Sequence, residues 1–277
     1  MRGGRKPMRV LAIMLWLGLA GWVPAQAQAV VDRGFYDGRI PALEHAIRFC
    51  IVTNSPLRDF DRAIADAIGS ALLVRSETFD LDLGIVQNSR ERELVLFINL
   101  TDNCDAVMGT NLAWNPLPDW LTVSRPYYSA PYVLAVRKET YQRLGEIPVG
   151  RAVGSSLDSV VDQQFVTYLG VLPPERRWFR LPYDYIPIML ADIRAGIVER
   201  GLLPSPLAGA ESDPDLDGLD LVSTAPLRVE PMQLGALLLS RDTFIRTALD
   251  EAIGTLQADG TIDRIVAEEG LPAQVLF

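Results

Sequence analysis

The sequence predicts an α/β fold built on parallel sheet, and three observations lead there. Short β-branched and aromatic runs, Ala46 to Val52 (AIRFCIV) and Cys104 to Met108, each stop at turn formers, TNSP and Gly109. The stretches between them carry the periodicity of helices rather than the alternation of half-exposed strands. The same succession of strand and helix recurs further along the chain, which is the pattern of a parallel sheet with covering helices.

Each element has its own reason. Asp59 to Val74 places Phe60, Ile64, Ile68 and Leu72 four apart, a single apolar stripe, and Arg90 to Asn99 is a second amphipathic stretch. Tyr127 to Val136 (YYSAPYVLAV) reads as one long strand, with polar residues from Lys138 to Arg143 behind it. Ile147 to Leu169 reads as strand, turn and helix, with Gly154-Ser155-Ser156 at the turn. Gln233 to Leu239 is another apolar strand, and Thr243 to Glu269 is a long amphipathic segment punctuated by Gly260.

The first nine residues hold four positive charges and no acid, Val10 to Val23 is an apolar run of fourteen, and PAQAQA follows. This is the pattern of a secretory signal peptide cleaved near Ala27 or Ala29, and the run is shorter than the roughly 20 residues that span a bilayer. The expectation is an exported protein without a stable membrane anchor, about 248 residues long after cleavage. The formal charge of −9 includes the four positive charges of the leader, so the remainder carries about −13. Nucleic acid is excluded as a partner on that balance. The acidity suits a basic partner or a cationic ligand, or simply keeps a soluble monomer dispersed.

Cys50 and Cys104 are expected to pair in an oxidising compartment, the alternative being two free thiols. His45 is the single histidine, which argues against Ser-His-Asp or Cys-His catalysis and against histidine-rich metal sites. No phosphate-cradling glycine motif is present, and no cofactor is expected. Asp213-Pro-Asp-Leu-Asp-Gly218 matches the opening of a calcium loop, but Thr224 stands where the bidentate glutamate belongs, so calcium ligation and a solvated acidic loop both stay open. Trp114 and Trp120 flank a loop at a strand tip, where they stack on a ligand or pack inward.

Ligands of open parallel sheets bind beyond the carboxyl ends of the strands. On that rule Asn54, Thr110, Asn111, Tyr127, Tyr128, Ser155 and Ser156 are the expected lining of a ligand site, with no catalytic residue and no metal among them. Ser155 or Ser156 serves either as an anion-binding helix start or as a plain N-cap.

Four segments carry a family resemblance: Cys104–Gly109, Ser124-Arg-Pro-Tyr-Tyr-Ser-Ala-Pro-Tyr132, Val153-Gly-Ser-Ser156, and Leu249 to Gly270 (LDEAIGTLQADGTIDRIVAEEG). Together they resemble the family 3 periplasmic solute-binding proteins of ABC importers. The resemblance implies a type II periplasmic binding protein fold, two α/β lobes joined by two crossing strands near 131–136 and 235–241. It implies a leader over 1–29, a first lobe over 30–134 and 238–277, and a second over 135–237. Members that bind amino acids use an arginine before the S-x-P-Y segment and an aspartate in the second lobe. Here those places fall on Leu117 or a neighbouring proline and on Pro204. The cysteines in Arg48-Phe-Cys50 and in C-D-x-V-x-G, followed by R-P-Y-Y, are similar to the MxaJ and XoxJ subgroup made with pyrroloquinoline-quinone methanol dehydrogenases. That subgroup implies a non-enzymatic accessory of a periplasmic quinoprotein dehydrogenase in methanol oxidation. The alternative is the substrate-binding subunit of an ABC importer, working with a permease on a small solute that is not a typical amino acid.

Overall fold

The computed structural model describes residues 46–83, 89–113, 117–157, 159–210 and 218–274. The leader, His45, Trp114 and the acidic loop over 213–217 lie outside the described residues.

Among the described residues the first sheet has six strands. β1 (Ala46–Val52) lies between β2 (Arg75–Leu81) and β3 (Ala106–Asn111), both parallel to it. β11 (Met232–Leu239) runs antiparallel to β3, and β4 (Leu121–Val123) and β5 (Tyr128–Ala130) pair with β11. Strand alternation sorts its two faces. Ile47, Phe49, Ile51, Ala106 and Met108 pack into a core with Phe60, Ile64 and Ile68 of α1 (Arg58–Ala71) and with α6 (Thr243–Ala258) and α7 (Thr261–Glu268). Cys50, Val107 and Leu237 face the other way, toward Leu96 and Leu100 of α2 (Ser89–Asp102). The expected stripe of α1 is present, but the helix stops before Val74 because Leu73 takes a left-handed φ of 57°. Gly260, with φ 78°, breaks the C-terminal segment into α6 and α7 where the sequence punctuates it.

Cys50 and Cys104 are bonded, and both are buried. The bridge fastens the middle of β1 to the entrance of β3. Closing a loop of this length stabilises the fold by about 4 kcal/mol in the chain-entropy description.

The second sheet has, among the described residues, five strands in the order β10 (Leu219–Val222), β6 (Tyr132–Arg137), β9 (Arg200–Pro204), β7 (Ala152–Ser156) and β8 (Phe179–Tyr183). α3 (Val160–Val171), α4 (Ile186–Ala195) and the short α5 (Ser205–Ala210) accompany it. Gly154 and Gly201 sit opposite one another on β7 and β9, and Met189 of α4 fills the hollow: a Cβ at Gly201 would lie 2.6 Å from its sulfur. Gly154 is therefore a packing glycine inside a strand, where the sequence suggested a turn.

Two further differences from the sequence reading matter for the site. The strand expected over Tyr127 to Val136 is two strands that belong to different sheets, with Pro131 between them. Proline lacks the N–H that a continuous ladder needs, and here the break is the place where the chain changes sheets. The chain returns between Val222 and Met232, so Tyr132–Leu134 lie in the second sheet and Met232–Leu237 in the first. β2 went unexpected: its sequence, RSETFDL, is polar because it is an edge strand with little burial.

Candidate functional site

A cavity of about 420 Å³ opens at the carboxyl ends of β1 and β3. Asn54 and Ser55 follow β1, Gly109, Thr110 and Asn111 end β3, and Ala113 lies just beyond. Arg92 and Leu96 come from α2, and Leu83, Val107 and Leu237 form an apolar floor on the sheet face beneath that helix. The second sheet contributes through the first turn of α3, with Ser159, Val160 and Gln163. The cavity thus touches elements of both sheets and reaches under α2.

Local structure explains these placements. Ser55 Oγ accepts from the Leu57 N–H (3.2 Å) and so shapes the turn into α1. Ser159 is the N-cap of α3, accepting from the Asp162 N–H (3.2 Å) and donating to the Ser156 carbonyl (2.6 Å). Asn111 Nδ2 donates to Tyr132 Oη (3.2 Å), joining the end of β3 to the start of the second sheet. Burial pushes the Tyr132 phenol up to about 12.

Behind the cavity wall lies a buried aspartate. Asp61 is wholly buried on α1 and accepts one hydrogen bond, 2.6 Å from Tyr127 Oη, which in turn accepts from the Gly109 N–H (2.7 Å). Its Oδ2 has no hydrogen-bond partner among the described residues. Gly109 has φ 79°, and a Cβ there would come within 2.4 Å of that oxygen. Glycine is required on both counts. Burial raises the Asp61 carboxyl to about 7, against the lowering effect of the Tyr127 hydrogen bond. Burial likewise raises Tyr127 far above the usual phenol range, helped by the Asp61 charge.

Of the expected lining residues, Asn54, Thr110 and Asn111 border the cavity. Tyr127 and Tyr128 do not: both are fully buried, Tyr127 on Asp61 and Tyr128 with its hydroxyl donating to the Pro272 carbonyl (2.9 Å). Ser155 is buried too, donating to Asp162 Oδ1 (2.6 Å). Asp162 also takes two hydrogen bonds of 2.6 Å from Arg180. Ser156 belongs to β7 rather than to a helix start, because the strand runs through it and α3 begins later, at the Ser159 cap. Sequence reasoning missed Arg92, Ser55 and Gln163. The local signal for this helix start is Ser159 with Asp162 three residues on, where the sequence reading chose Ser155 or Ser156.

The residues at which the resemblance puts the charged clamps of amino-acid binders are apolar. Leu117 packs on the apolar cluster beneath α2, and Pro204 is buried at the end of β9, paired with Tyr132. The cavity nevertheless has a guanidinium, supplied by Arg92. Trp120 packs inward: its ring meets Phe97 edge to face at 5.3 Å and its Nε1 donates to Glu93 (3.0 Å). No cluster of metal-ligating side chains occurs among the described residues. No described helix is long and apolar enough to cross a membrane.

No family model and no curated protein matches this chain. Solved structures do. The L-cystine solute receptor of Neisseria gonorrhoeae, in its unliganded open form, aligns at TM-score 0.63 and 16% identity over 84% of this chain and 96% of its own. The second substrate-binding domain of Lactococcus lactis GlnP aligns at 0.60 and 12% over 83% and 97%. An ancestral cationic amino acid solute-binding protein aligns at 0.60 and 16% over 81% and 95%. This is the fold of the substrate-binding proteins of ABC transporters. The likeness extends to the two-lobed architecture, and none of these three neighbours is named as an enzyme.

Proposed function

We propose that this chain is a solute receptor: it captures a small molecule in the cavity between its two sheets and presents it to an ABC permease. The observation that carries the reading is the cavity itself, placed at strand carboxyl ends, bordered by the first turn of α3 from the second sheet, and sized for a small ligand. Export by the leader pattern over 1–29 belongs to the same reading, and the Cys50–Cys104 bond is in keeping with an oxidising compartment. The test is a thermal-shift screen of the purified protein against amino acids, organic acids, polyamines and sugars. A receptor gains stability as RT ln(1 + [L]/Kd), about 2.7 kcal/mol at a hundredfold excess over Kd. At least one solute is expected to raise Tm in a saturable way, and a flat response across the set counts against capture.

A second reading has one observation in its favour. The bond joins the two cysteines at the positions that gave the resemblance to dehydrogenase-associated proteins. In that reading the chain is an accessory of a periplasmic quinoprotein dehydrogenase. Co-purification from the native periplasm separates the two: an enriched dehydrogenase favours the accessory role, and an inner-membrane permease favours the receptor.

A further inference from the structure

We infer that the end of the second sheet farthest from the cavity is a membrane-contact face, where exposed apolar tips and arginines meet a bilayer of anionic phospholipid. The inference goes beyond the receptor reading and does not depend on it. β7, β8 and β9 run parallel, so Ala152, Phe179 and Arg200 begin together, and β6, antiparallel to β9, ends at Arg137 beside them. The carboxyl end of β7 leads the other way, to α3 and the cavity.

Contacts tie the segments at this far end into one surface. The Gly150 N–H donates to the Arg177 carbonyl (2.9 Å), and Arg177 Nε donates to the Leu172 carbonyl (2.8 Å). Arg151 stands 3.7 Å from Glu199, and a Cβ on Gly196 would lie 3.3 Å from Arg137 Nη1. Large apolar residues are held out in water here: Val149 is 54% exposed, Val171 76%, Phe179 69% and Ile197 71%. Exposed arginines stand among them, Arg137, Arg151, Arg176, Arg177 and Arg194. Arg200 is buried against the Tyr141 ring and adds its charge from beneath. The acids of this face are Glu139, Glu175, Glu199 and Asp220; Glu199 is shared by Arg151 and Arg200, and Asp220 accepts from the Glu139 N–H (2.9 Å). Positive charge thus predominates at this end of a chain whose formal net charge is −9.

Apolar tips spread over separate loops give a protein partner no single pocket to fill. A bilayer surface accepts each of them at the boundary of headgroups and acyl chains, while lipid phosphates take the guanidinium groups. Contact at this end leaves the mouth of the cavity clear.

The test is co-sedimentation with vesicles of the exported chain, recovered from the periplasm with its leader removed, as intact mass shows. One set of vesicles is phosphatidylcholine alone, and the other is an equal mixture of phosphatidylcholine and phosphatidylglycerol. Binding to the anionic set is expected to be at least about tenfold tighter and to weaken as salt is raised. Phe179→Ser is expected to weaken it about tenfold, and Arg176→Gln about fivefold. Phe244→Ser removes an equally exposed ring from α6, on the first sheet, and is expected to change nothing. The Tm of each variant checks the fold. Binding to neither set, equal binding to both, or equal losses from Phe179→Ser and Phe244→Ser overturns the assignment. A chain that ignores vesicles but self-associates through Phe179, as sedimentation velocity reads, overturns it in favour of a second copy. None of these results touches the receptor reading, which the solute screen decides.

Discussion

Two buried aspartates, one in the first turn of α3, which borders the cavity, and one in the first turn of α1, behind the cavity wall, are held in opposite ways. Asp162 of α3 receives two hydrogen bonds from Arg180 and one from Ser155. Asp61 of α1 receives one, from a phenol, and leaves an oxygen unpartnered against Gly109. An arginine lets a buried carboxylate stay ionised, because the pair is desolvated together and its hydrogen bonds are charge-assisted. A tyrosine offers too little, so burial wins and the carboxyl is pushed up to about 7. The same residue type at nearly the same place in a helix is therefore paired with a guanidinium in α3 and left to a phenol in α1.

The largest expected effect concerns the titrating member. The folded value of Asp61 lies above the ordinary aspartate range, so between about pH 4 and pH 7 the unfolded chain gives up this proton while the folded chain keeps it. Its contribution to stability is present below that window and is lost as pH rises through it, on the order of 4 kcal/mol. Asp61→Asn should flatten that part of the curve of unfolding free energy against pH, as measured by urea titration. Parallel curves for the two proteins would show that Asp61 is ionised throughout.

Next comes Arg180→Met, which leaves the Asp162 charge buried without its guanidinium. A cost of about 3 kcal/mol is expected, at the low end for a buried pair because the Arg180 side chain is 28% exposed and water reaches it. The same denaturant titration reads it, and a loss below 1 kcal/mol would place Asp162 in water's reach. The smallest effect sharpens the contrast instead of breaking it. Tyr127→Phe should cost about 1–2 kcal/mol through the lost bonds to Asp61 and the Gly109 N–H. Removing that donor also moves the Asp61 transition to higher pH, and a downward movement would contradict the arrangement.

Much of the frame was legible in the sequence because apolar periodicity reports burial directly. Phe60, Ile64 and Ile68 sit on one helix face, and the runs around Cys50 and Val107 became neighbouring parallel strands bonded through the cysteines. The same signal misled at the site. Tyr127, Tyr128 and Ser155 are polar groups near strand ends, which reads as cleft lining, yet their hydroxyls are bound to Asp61, Pro272 and Asp162 inside the fold. Pairing with a residue 66 or 144 positions away leaves no local trace. Arg92 was missed for the converse reason: a cation in the first turn of an amphipathic helix looks like a solvated side chain, and only the tertiary placement of α2 over the sheet turns it inward.

The missing side chain at Gly109 makes the wall of the cavity a single backbone thick, so whatever charge the pocket admits is sensed by the carboxyl behind it. Capture of an anion there would tighten the hold of Asp61 on its proton and draw a fraction of one from the buffer near neutrality. The heat of binding would then change with the ionisation enthalpy of the buffer chosen, and the Asp61→Asn protein would show no such dependence.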